Sequence, residues 1–345
     1  MNTVEFLPKF CKIAGVKIPG DIAPQLEPDE VRAGLAACFA MKFKAHFSSL
    51  VKPDFSILPS RMIVMMLALA FQLTVSGGST NTFENPVVRT GADPWVVQHG
   101  GQYFYCQSHR GTGVWISKAE RLENIGRSRP VNVWSPPAGT NWSKEIWAPE
   151  LHYLRGQWFI YVAADDGDND NHRMYVLEGT SQDPQAPFVF RGKLAAPTDR
   201  WAIDGTVLKM PDEKLYFIWS GWEGTSNVAQ NLYIAPMSDP LTISGERICI
   251  SRPEYDWEKH GDPLVNEGPE TLWHGDKLFI IYSASGSWTP DCCLGMLHNN
   301  TGDVLNPASW GKHGPVFKKT DQVWGVGHCS YVKSLCQTED WIIYH

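Results

Sequence analysis

The sequence contains no concentrated cluster of lysine and arginine residues. Its 30 lysines and arginines are outnumbered by 37 aspartates and glutamates, which gives a formal net charge of −7 at pH 7. Proteins that bind nucleic acids neutralise phosphate groups with clustered positive charge. We therefore expect no nucleic-acid partner.

The spacing of cysteines that is typical of structural zinc sites is also missing. The sequence has eight cysteines but no Cys-x-x-Cys pair and no Cys/His spacing of a zinc finger, so we expect no zinc site of that kind. Six of the cysteines lie in the second, larger part of the chain: Cys106, Cys249, Cys292, Cys293, Cys329 and Cys336. Disulfides among them are compatible with the sequence, which does not give their pairing.

A hydrophobic run of about 20 residues, the length that crosses a bilayer as a helix, is absent as well. The apolar run Met62–Val75 has about 14 residues, with Arg61 before it and SGGST after it. Charged, apolar and small residues follow one another in this order in secretory signals. We predict that residues 61–78 form a signal-peptide-like or signal-anchor segment. Cleavage near Gly77 to Ser79 would leave a secreted protein without stable membrane association.

This signal-like segment does not lie at the N-terminus, where signals belong. Translation could start near Met62, or the segment could be an anchor with a cytoplasmic tail, or the run could be a buried core strand or helix. Residues 1–60 precede it and have no assigned role. Apolar residues at Val31, Leu35 and Phe39 predict a helix within this N-terminal extension.

What the rest of the chain does have is a repeated pattern. In residues 201–221, WAIDGTVLKMPDEKLYFIWSG, a short β-branched run, a polar turn and a wholly apolar run follow one another, which predicts a β-hairpin. The second run has no polar alternation, so its strand should be covered on both faces. Five such copies occur at a period of roughly 55 to 63 residues, a length that suits a four-stranded propeller blade. We predict an all-β fold, with residues 79–345 forming a five-bladed β-propeller.

Acidic residues open several of these repeats. Asp93 lies in GADPWVV, Asp204 in AIDGTV and Glu267 in NEGPETL. Each alone is compatible with an ordinary turn or loop residue. Because blades repeat around one axis, matching positions should meet at one central cavity, and three carboxylates flanked by apolar residues there are typical of a glycosidase acid and base set.

The motifs GADPWVV, EIWAPELHY, AIDGTV, NEGPETL and GHCSYV occur in the order found in glycoside hydrolase family 43, which the sequence from about Asn85 to His345 resembles. The resemblance implies that Asp93 is the general base that activates water and Glu267 the general acid. It implies that Asp204 orients the acid and raises its pKa. Glu270 is the rival acid, but the family places the acid directly before a Gly-Pro pair, which favours Glu267.

Other residues are predicted to bind the substrate or an ion. Trp95 and Trp147 are candidates for stacking on a sugar, with packing between blades as the alternative for each; Glu150 of the WAPE motif is a further substrate-binding candidate. His328 resembles the family's axial histidine, which holds a water or a calcium ion in the channel; a buried histidine without metal is the alternative.

The loop DDGDNDN, residues 165–171, is rich in oxygen ligands but lacks the twelfth-position glutamate of an EF-hand. We interpret it as a solvated turn rather than a calcium loop. No cofactor is expected to be required, and a structural calcium ion in the central channel is compatible with the resemblance.

The flanking sequences, among them HRMYVLEG and YSASGSW, resemble the extracellular exo-acting α-L-arabinofuranosidases of the family. They imply an inverting hydrolase that releases terminal α-L-arabinofuranosyl residues from arabinan or arabino-oligosaccharides. Endo-arabinanase, β-xylosidase and a non-catalytic arabinoside-binding propeller are the alternatives. The fifth repeat ends with the strand Trp341 to Tyr344, so we expect a truncated fifth blade. Unless the N-terminal segment near Asn85 donates a strand, its apolar edge would be open, and we expect poor solubility or weak activity.

Overall fold

The computed structural model describes residues 5–8 and 85–345, and within these residues the fold is all-β. The predicted helix of the N-terminal extension and the signal-like segment 61–78 lie outside the described residues. In the described ranges no helix is long and apolar enough to cross a membrane. The six cysteines between residues 85 and 345 are free thiols.

Twenty strands and four short 3₁₀ helices make up this part of the chain. The strands are β1 (Glu5–Pro8), β2 (Trp95–His99), β3 (Gln102–Ser108), β4 (Val114–Ala119), β5 (Val131–Trp134), β6 (Lys144–Leu154), β7 (Gln157–Asp165), β8 (Arg173–Gly179), β9 (Phe188–Lys193), β10 (Ala202–Lys209), β11 (Leu215–Trp222), β12 (Ala229–Asp239), β13 (Thr242–Ile243), β14 (Ile248–Ser251), β15 (Leu264–His274), β16 (Lys277–Ala284), β17 (Cys293–Asn299), β18 (Trp310–Phe317), β19 (Cys329–Lys333) and β20 (Asp340–Tyr344). The 3₁₀ helices are Leu122–Arg127, Asn169–Asn171, Asp256–Glu258 and Pro307–Ser309.

The strands form four sheets. Two are four-stranded, in the orders β2-β3-β4-β5 and β6-β7-β8-β9. A nine-stranded sheet follows the path β10-β11-β12-β15-β16-β17-β18, with β13 and β14 both pairing β12. It is two antiparallel groups joined by a short parallel pairing of β12 with β15. The fourth sheet has the order β1-β20-β19.

All five hairpins predicted from the repeat are present. They are the antiparallel pairs β2-β3, β6-β7, β10-β11, β15-β16 and β19-β20. The apolar second strands are buried along almost their whole length in β7, β11 and β16. This burial confirms that strands without polar alternation are covered on both faces.

The first strands of the five hairpins lie next to one another in a cycle. β2 contacts β6, β6 contacts β10, β10 contacts β15, β15 contacts β19, and β19 contacts β2 again. A hydrogen bond supports this last contact, since the Val96 N–H donates to Ser330 Oγ (3.2 Å). The next strand of the first hairpin, β3, also reaches β19, through the Tyr103 hydroxyl and the carbonyl oxygen of Lys333 (3.1 Å). The beginnings of the five first strands therefore converge.

The same backbone device recurs at the start of each first strand. In or just before each first strand at least one residue has a positive φ, and β6 has a second such residue, Glu145, at 44°. The five residues at equivalent places have φ between 26° and 55°. These residues are Asp93, Ala148, Asp204, Gly268 and His328. In β6, β10 and β15 the register shifts at this point, as expected of a bulge, which bends a strand and redirects its side chains. Four of the five are not glycine, and for them the left-handed conformation is energetically unfavourable. The surrounding fold therefore imposes this conformation at equivalent places.

The edge of β20 is paired, which corrects the expectation of an open edge. Residues of β1 lie antiparallel to it, from Glu5 opposite Tyr344 to Pro8 opposite Trp341. The repeat pattern gave no sign of this pairing, because β1 lies in the N-terminal extension outside the repeats and is a strand of only four residues.

Candidate active site

The convergence of the first strands brings together side chains from four repeats. His328 Nδ1 lies 3.1 Å from Asp93 Oδ1 and 3.8 Å from Asp204 Oδ2. Glu267 is close enough to Asp204, Asp93 and His328 for all three to act on its pKa. The sequence prediction that Asp93, Asp204 and Glu267 are neighbours is thus met in the structure.

Asp93 occupies the left-handed position before β2 and is partly exposed, with 27% of its side chain accessible. Its N–H donates to Nδ1 of His345 (2.8 Å). Burial alone raises the pKa of Asp93, but the charge and the hydrogen bond of His328 outweigh it and lower the pKa to about 2. Asp93 is therefore an ionised, accessible carboxylate that can accept a proton.

Asp204 takes the equivalent position in β10 and is buried, with 4% exposure. Its Oδ2 accepts the N–H of Gly268 (3.2 Å), the residue that follows Glu267. Burial raises the pKa of Asp204, and the charge of Asp93 adds to the effect against the opposing charge of His328, so that the pKa is about 6. Near pH 7 Asp204 is an anion tied to the backbone beside Glu267.

Glu267 lies in β15 directly before the left-handed Gly268 and is partly exposed. Burial, followed by the negative charge of Asp204, raises its pKa to about 8, although His328 opposes the shift. Glu267 is therefore protonated at neutral pH in the same group of side chains that keeps Asp93 ionised. A carboxylic acid beside a carboxylate is the pair that acid and base catalysis requires.

The backbone that carries Glu267 is fixed by a buried polar network. The side-chain amide of Asn266, one residue earlier, donates to Ser251 Oγ (3.0 Å) and to Glu258 Oε1 (3.1 Å). The backbone carbonyl oxygen of Asn266 accepts from Ser220 Oγ (2.9 Å). Glu258 is fully buried and forms an ion pair with Lys312 (3.1 Å). Removing either charge would leave the other buried and unpaired, so this network is a rigid support for the acid's strand.

Glu270, the rival acid, is placed less favourably. It is only 6% exposed, whereas Glu267 is partly open. Burial raises its pKa well above the usual range, and one of its carboxyl oxygens, Oε2, has no hydrogen-bond partner among the described residues. A group that protonates a leaving oxygen must reach the substrate, and this requirement favours Glu267.

His328 links the two aspartates electrostatically. It is 7% exposed, and its backbone N–H donates to Ser283 Oγ (2.6 Å). Burial alone lowers its pKa, but the charges of Asp93 and Asp204 outweigh burial and raise the pKa to about 10. An imidazolium therefore balances the negative charge of the two aspartates. Gly268 packs against its ring: a Cβ there would lie 3.0 Å from His328 Cγ, and the φ of +55° favours glycine as well.

The two tryptophans predicted to stack on a sugar are placed differently. Trp95 is 8% exposed and belongs to a core cluster. Its indole N–H donates to the Leu151 carbonyl oxygen (2.8 Å), and its ring contacts the ring of His152. This placement favours packing, the alternative that the sequence left open. Trp147 is only partly buried and stacks on His172, with ring centroids 4.0 Å apart.

Glu150 is buried near Glu270 and Asp204. It is 3% exposed and its Oε2 is 2.9 Å from Nε2 of His152. Burial, followed by the charges of Glu270 and Asp204, raises its pKa well above the usual range. Its burial favours a supporting role over direct contact with a substrate.

Sequence reasoning missed His345. Its ring accepts the N–H of Asp93, and Nδ1 is 3.6 Å from Asp93 Oδ1. Its position directly after the apolar strand β20 was visible in the sequence, but no neighbouring motif marked it as part of the site.

The chain is similar to a known protein family over most of its length. The model of glycosyl hydrolases family 43 matches residues 83–345, which is more than half of the chain. The chain belongs to glycosyl hydrolase family 43. Among solved structures, the α-L-arabinofuranosidase from Lactobacillus brevis superimposes with a TM-score of 0.72 at 34% identity, over 76% of this chain and 85% of that one.

Two curated relatives have similar identity. An extracellular exo-α-(1→5)-L-arabinofuranosidase from Streptomyces avermitilis is 31% identical over 84% of this chain. A protein of the same description from Streptomyces chartreusis is 29% identical over 85% of this chain and 93% of its own length. The chain spans 62% of the length of the Streptomyces avermitilis protein.

Proposed function

We propose that the protein is an inverting glycosidase that releases terminal α-L-arabinofuranosyl residues from arabinan or arabino-oligosaccharides. The observation that carries the proposal is the meeting of Asp93, Asp204 and Glu267 around His328. In this group His328 lowers the pKa of Asp93 to about 2, whereas burial and Asp204 raise the pKa of Glu267 to about 8. Groups with separated pKa values in one site are typical of an acid and base pair. A protein that only binds arabinosides would not need this separation.

In the proposed reaction Asp93 removes a proton from a water molecule, and the water oxygen attacks the anomeric carbon. The bond from that carbon to the leaving oxygen breaks as Glu267 donates its proton to that oxygen. Attack opposite to the leaving group inverts the anomeric configuration. Asp204 raises the pKa of Glu267 and holds the Gly268 N–H, while His328 keeps Asp93 ionised.

The substrate assignment rests on the relatives. Both Streptomyces proteins are described as extracellular exo-α-(1→5)-L-arabinofuranosidases, and the Lactobacillus brevis structure is that of an α-L-arabinofuranosidase. The word extracellular in the Streptomyces descriptions supports secretion, in line with the signal-like segment 61–78.

The finer architecture is part of the proposal. We propose a five-bladed propeller, supported by the cycle of five contacting first strands. The calcium ion at His328 stays a prediction. No step of the proposed reaction depends on one.

One set of assays tests the function. The full-length chain should hydrolyse an aryl α-L-arabinofuranoside and arabino-oligosaccharides faster than an aryl β-xyloside, and linear arabinan should release monomeric arabinose from the first minutes. Internal cleavage of arabinan would instead indicate an endo-arabinanase, and preference for the xyloside a β-xylosidase. Binding of arabino-oligosaccharides without turnover would leave only the non-catalytic alternative.

Asp204→Asn should shift the alkaline limb of activity to lower pH. Glu267 must be protonated to act, so activity should fall as pH rises through its pKa of about 8. Without the negative charge of Asp204, the protonated form of Glu267 loses a stabilising neighbour and its pKa falls. The asparagine oxygen can still accept the Gly268 N–H. The measurement is kcat/KM against pH.

The matched control for this prediction is Asp212→Asn, which removes the same charge from an exposed turn. Its pH profile should coincide with that of the unmodified protein. If the alkaline limb of Asp204→Asn does not move, Asp204 is not what raises the pKa of the acid.

A further inference from the structure

A second group of ionisable side chains lies outside the acid and base set. Glu145, Asp165 and His172 each place one ligand atom within 4.8 Å of the other two. Asp165 and His172 are fully buried, and Glu145 is partly exposed. Carboxylate oxygens and an imidazole nitrogen are donors that first-row transition metal ions accept.

Two buried atoms face each other at this group, Nδ1 of His172 and Oδ2 of Asp165. His172 Nε2 is 3.1 Å from the carbonyl oxygen of Glu145. A carbonyl only accepts, so the proton of a neutral ring resides on Nε2 and Nδ1 presents a lone pair. Nδ1 is 2.9 Å from Asp165 Oδ2, but the contact is not aligned as a hydrogen bond, and both atoms lack a hydrogen-bond partner in the described part of the chain.

Two lone pairs held together in a dry interior repel, and a cation between them removes the repulsion. We propose that Glu145, Asp165 and His172 bind a divalent first-row transition metal ion such as Zn²⁺. Ligand atoms of a tetrahedral ion with bonds of about 2.1 Å are about 3.4 Å apart, so binding would move Nδ1 and Oδ2 apart by roughly half an ångström from their 2.9 Å separation. Calcium and magnesium prefer oxygen ligands throughout, so the imidazole disfavours them.

The surroundings hold the donors as in known metal sites. A metal-bound histidine usually donates its other ring N–H to a carbonyl or carboxylate, which fixes the ring. For His172 this acceptor is the backbone carbonyl oxygen of Glu145. Asp165 Oδ1 accepts the N–H of Gly167 (2.8 Å), which leaves Oδ2 for the ion. The loop 165–171 is closed by its own side chains, for example from Asn171 Nδ2 to Asp166 Oδ1 (3.1 Å). This closure agrees with a turn, and the turn places Asp165 and His172 together.

The ion would also act on Trp147, the remaining candidate for stacking on a sugar. Trp147 stacks on the His172 ring at 4.0 Å, so an ion that immobilises His172 supports Trp147 from behind. If the proposed function holds, chelation should raise KM for arabino-oligosaccharides more than it lowers kcat. Metal binding itself is independent of that function and is the primary measurement.

The test is titration of the chelator-treated full-length chain with Zn²⁺ by calorimetry. We expect one saturable ion bound at this group, with affinity weakened by about 10²-fold or more in Glu145→Gln and in Asp165→Asn. Asp166→Asn removes the same charge one residue away and should retain the affinity of the unmodified chain. Glu145 is partly exposed, so its glutamine variant should keep the fold, to be checked by circular dichroism.

Co²⁺ distinguishes this site from the free cysteines. Bound at Glu145, Asp165 and His172, it should show no thiolate charge-transfer band. Absence of saturable Zn²⁺ binding, a thiolate band, or equal affinity in Glu145→Gln, Asp165→Asn and the unmodified chain would overturn the proposal, whatever the enzyme activity proves to be.

Discussion

Glu267→Gln should lower kcat/KM for arabino-oligosaccharides by about 10²- to 10⁴-fold, the usual contribution of general acid catalysis. The amide has the shape of the carboxyl group but no acidic proton to give to the leaving oxygen. Aryl arabinosides should lose much less, because a phenolate with a low pKa leaves without protonation. The measurement compares both substrate types on the same enzyme preparation.

Glu270→Gln is the matched control for this result, since it makes the same change three residues later in the same strand. Glu270 is buried, so its substitution should affect both substrate types alike and mainly through stability. If Glu267→Gln loses as much activity on aryl substrates as on natural ones, or if only Glu270→Gln shows the leaving-group dependence, the acid has been assigned to the wrong residue.

Asp93→Asn should reduce hydrolysis of natural and aryl substrates equally, by about 10²- to 10⁴-fold. Activation of water is needed whichever group leaves, so the leaving-group dependence seen for Glu267 should be absent. Asparagine tolerates the left-handed backbone of this position, with φ at 49°, better than most residues. The loss can therefore be ascribed to chemistry once the melting temperature is shown to be unchanged.

Asp93→Gly gives a second, stereochemical test of the base. Glycine keeps the backbone and leaves room for azide, a nucleophile that needs no deprotonation. Azide should restore part of the activity on an aryl α-arabinoside and yield the β-arabinosyl azide. In the unmodified enzyme, NMR should detect β-arabinose as the first product. An α product, or a trapped glycosyl-enzyme, would contradict the assignment of Asp93.

The repeat and the three carboxylates were predictable because each hairpin carries its own signal. Turn residues, an apolar run and an acidic opening all lie within about 20 residues of one another. The radial arrangement then brought Asp93, Asp204 and Glu267 together without further information. Their common left-handed backbone was not predictable, since the five equivalent positions hold aspartate, alanine, aspartate, glycine and histidine.

What sequence reasoning missed depends on contacts between distant segments. The pairing of β1 with β20, the bond from Asp93 to His345, and the meeting of Glu145 with His172 each join residues from different elements. No local pattern records such contacts. Trp95 also shows this limit of sequence-based prediction. Its motif predicts a place in the site, but contacts with the neighbouring hairpin bury its indole against Leu151 and His152.

The hydrogen bond from the Asp93 N–H to His345 joins residues 252 positions apart. Contacts so distant in sequence are slow to form, because a long loop must close before they stabilise anything. The five hairpins can fold one after another as local units, but Asp93 gains its ring partners His328 and His345 only when the last hairpin meets the first. Refolding experiments should therefore find that strand formation precedes activity, and that activity returns in a single late phase.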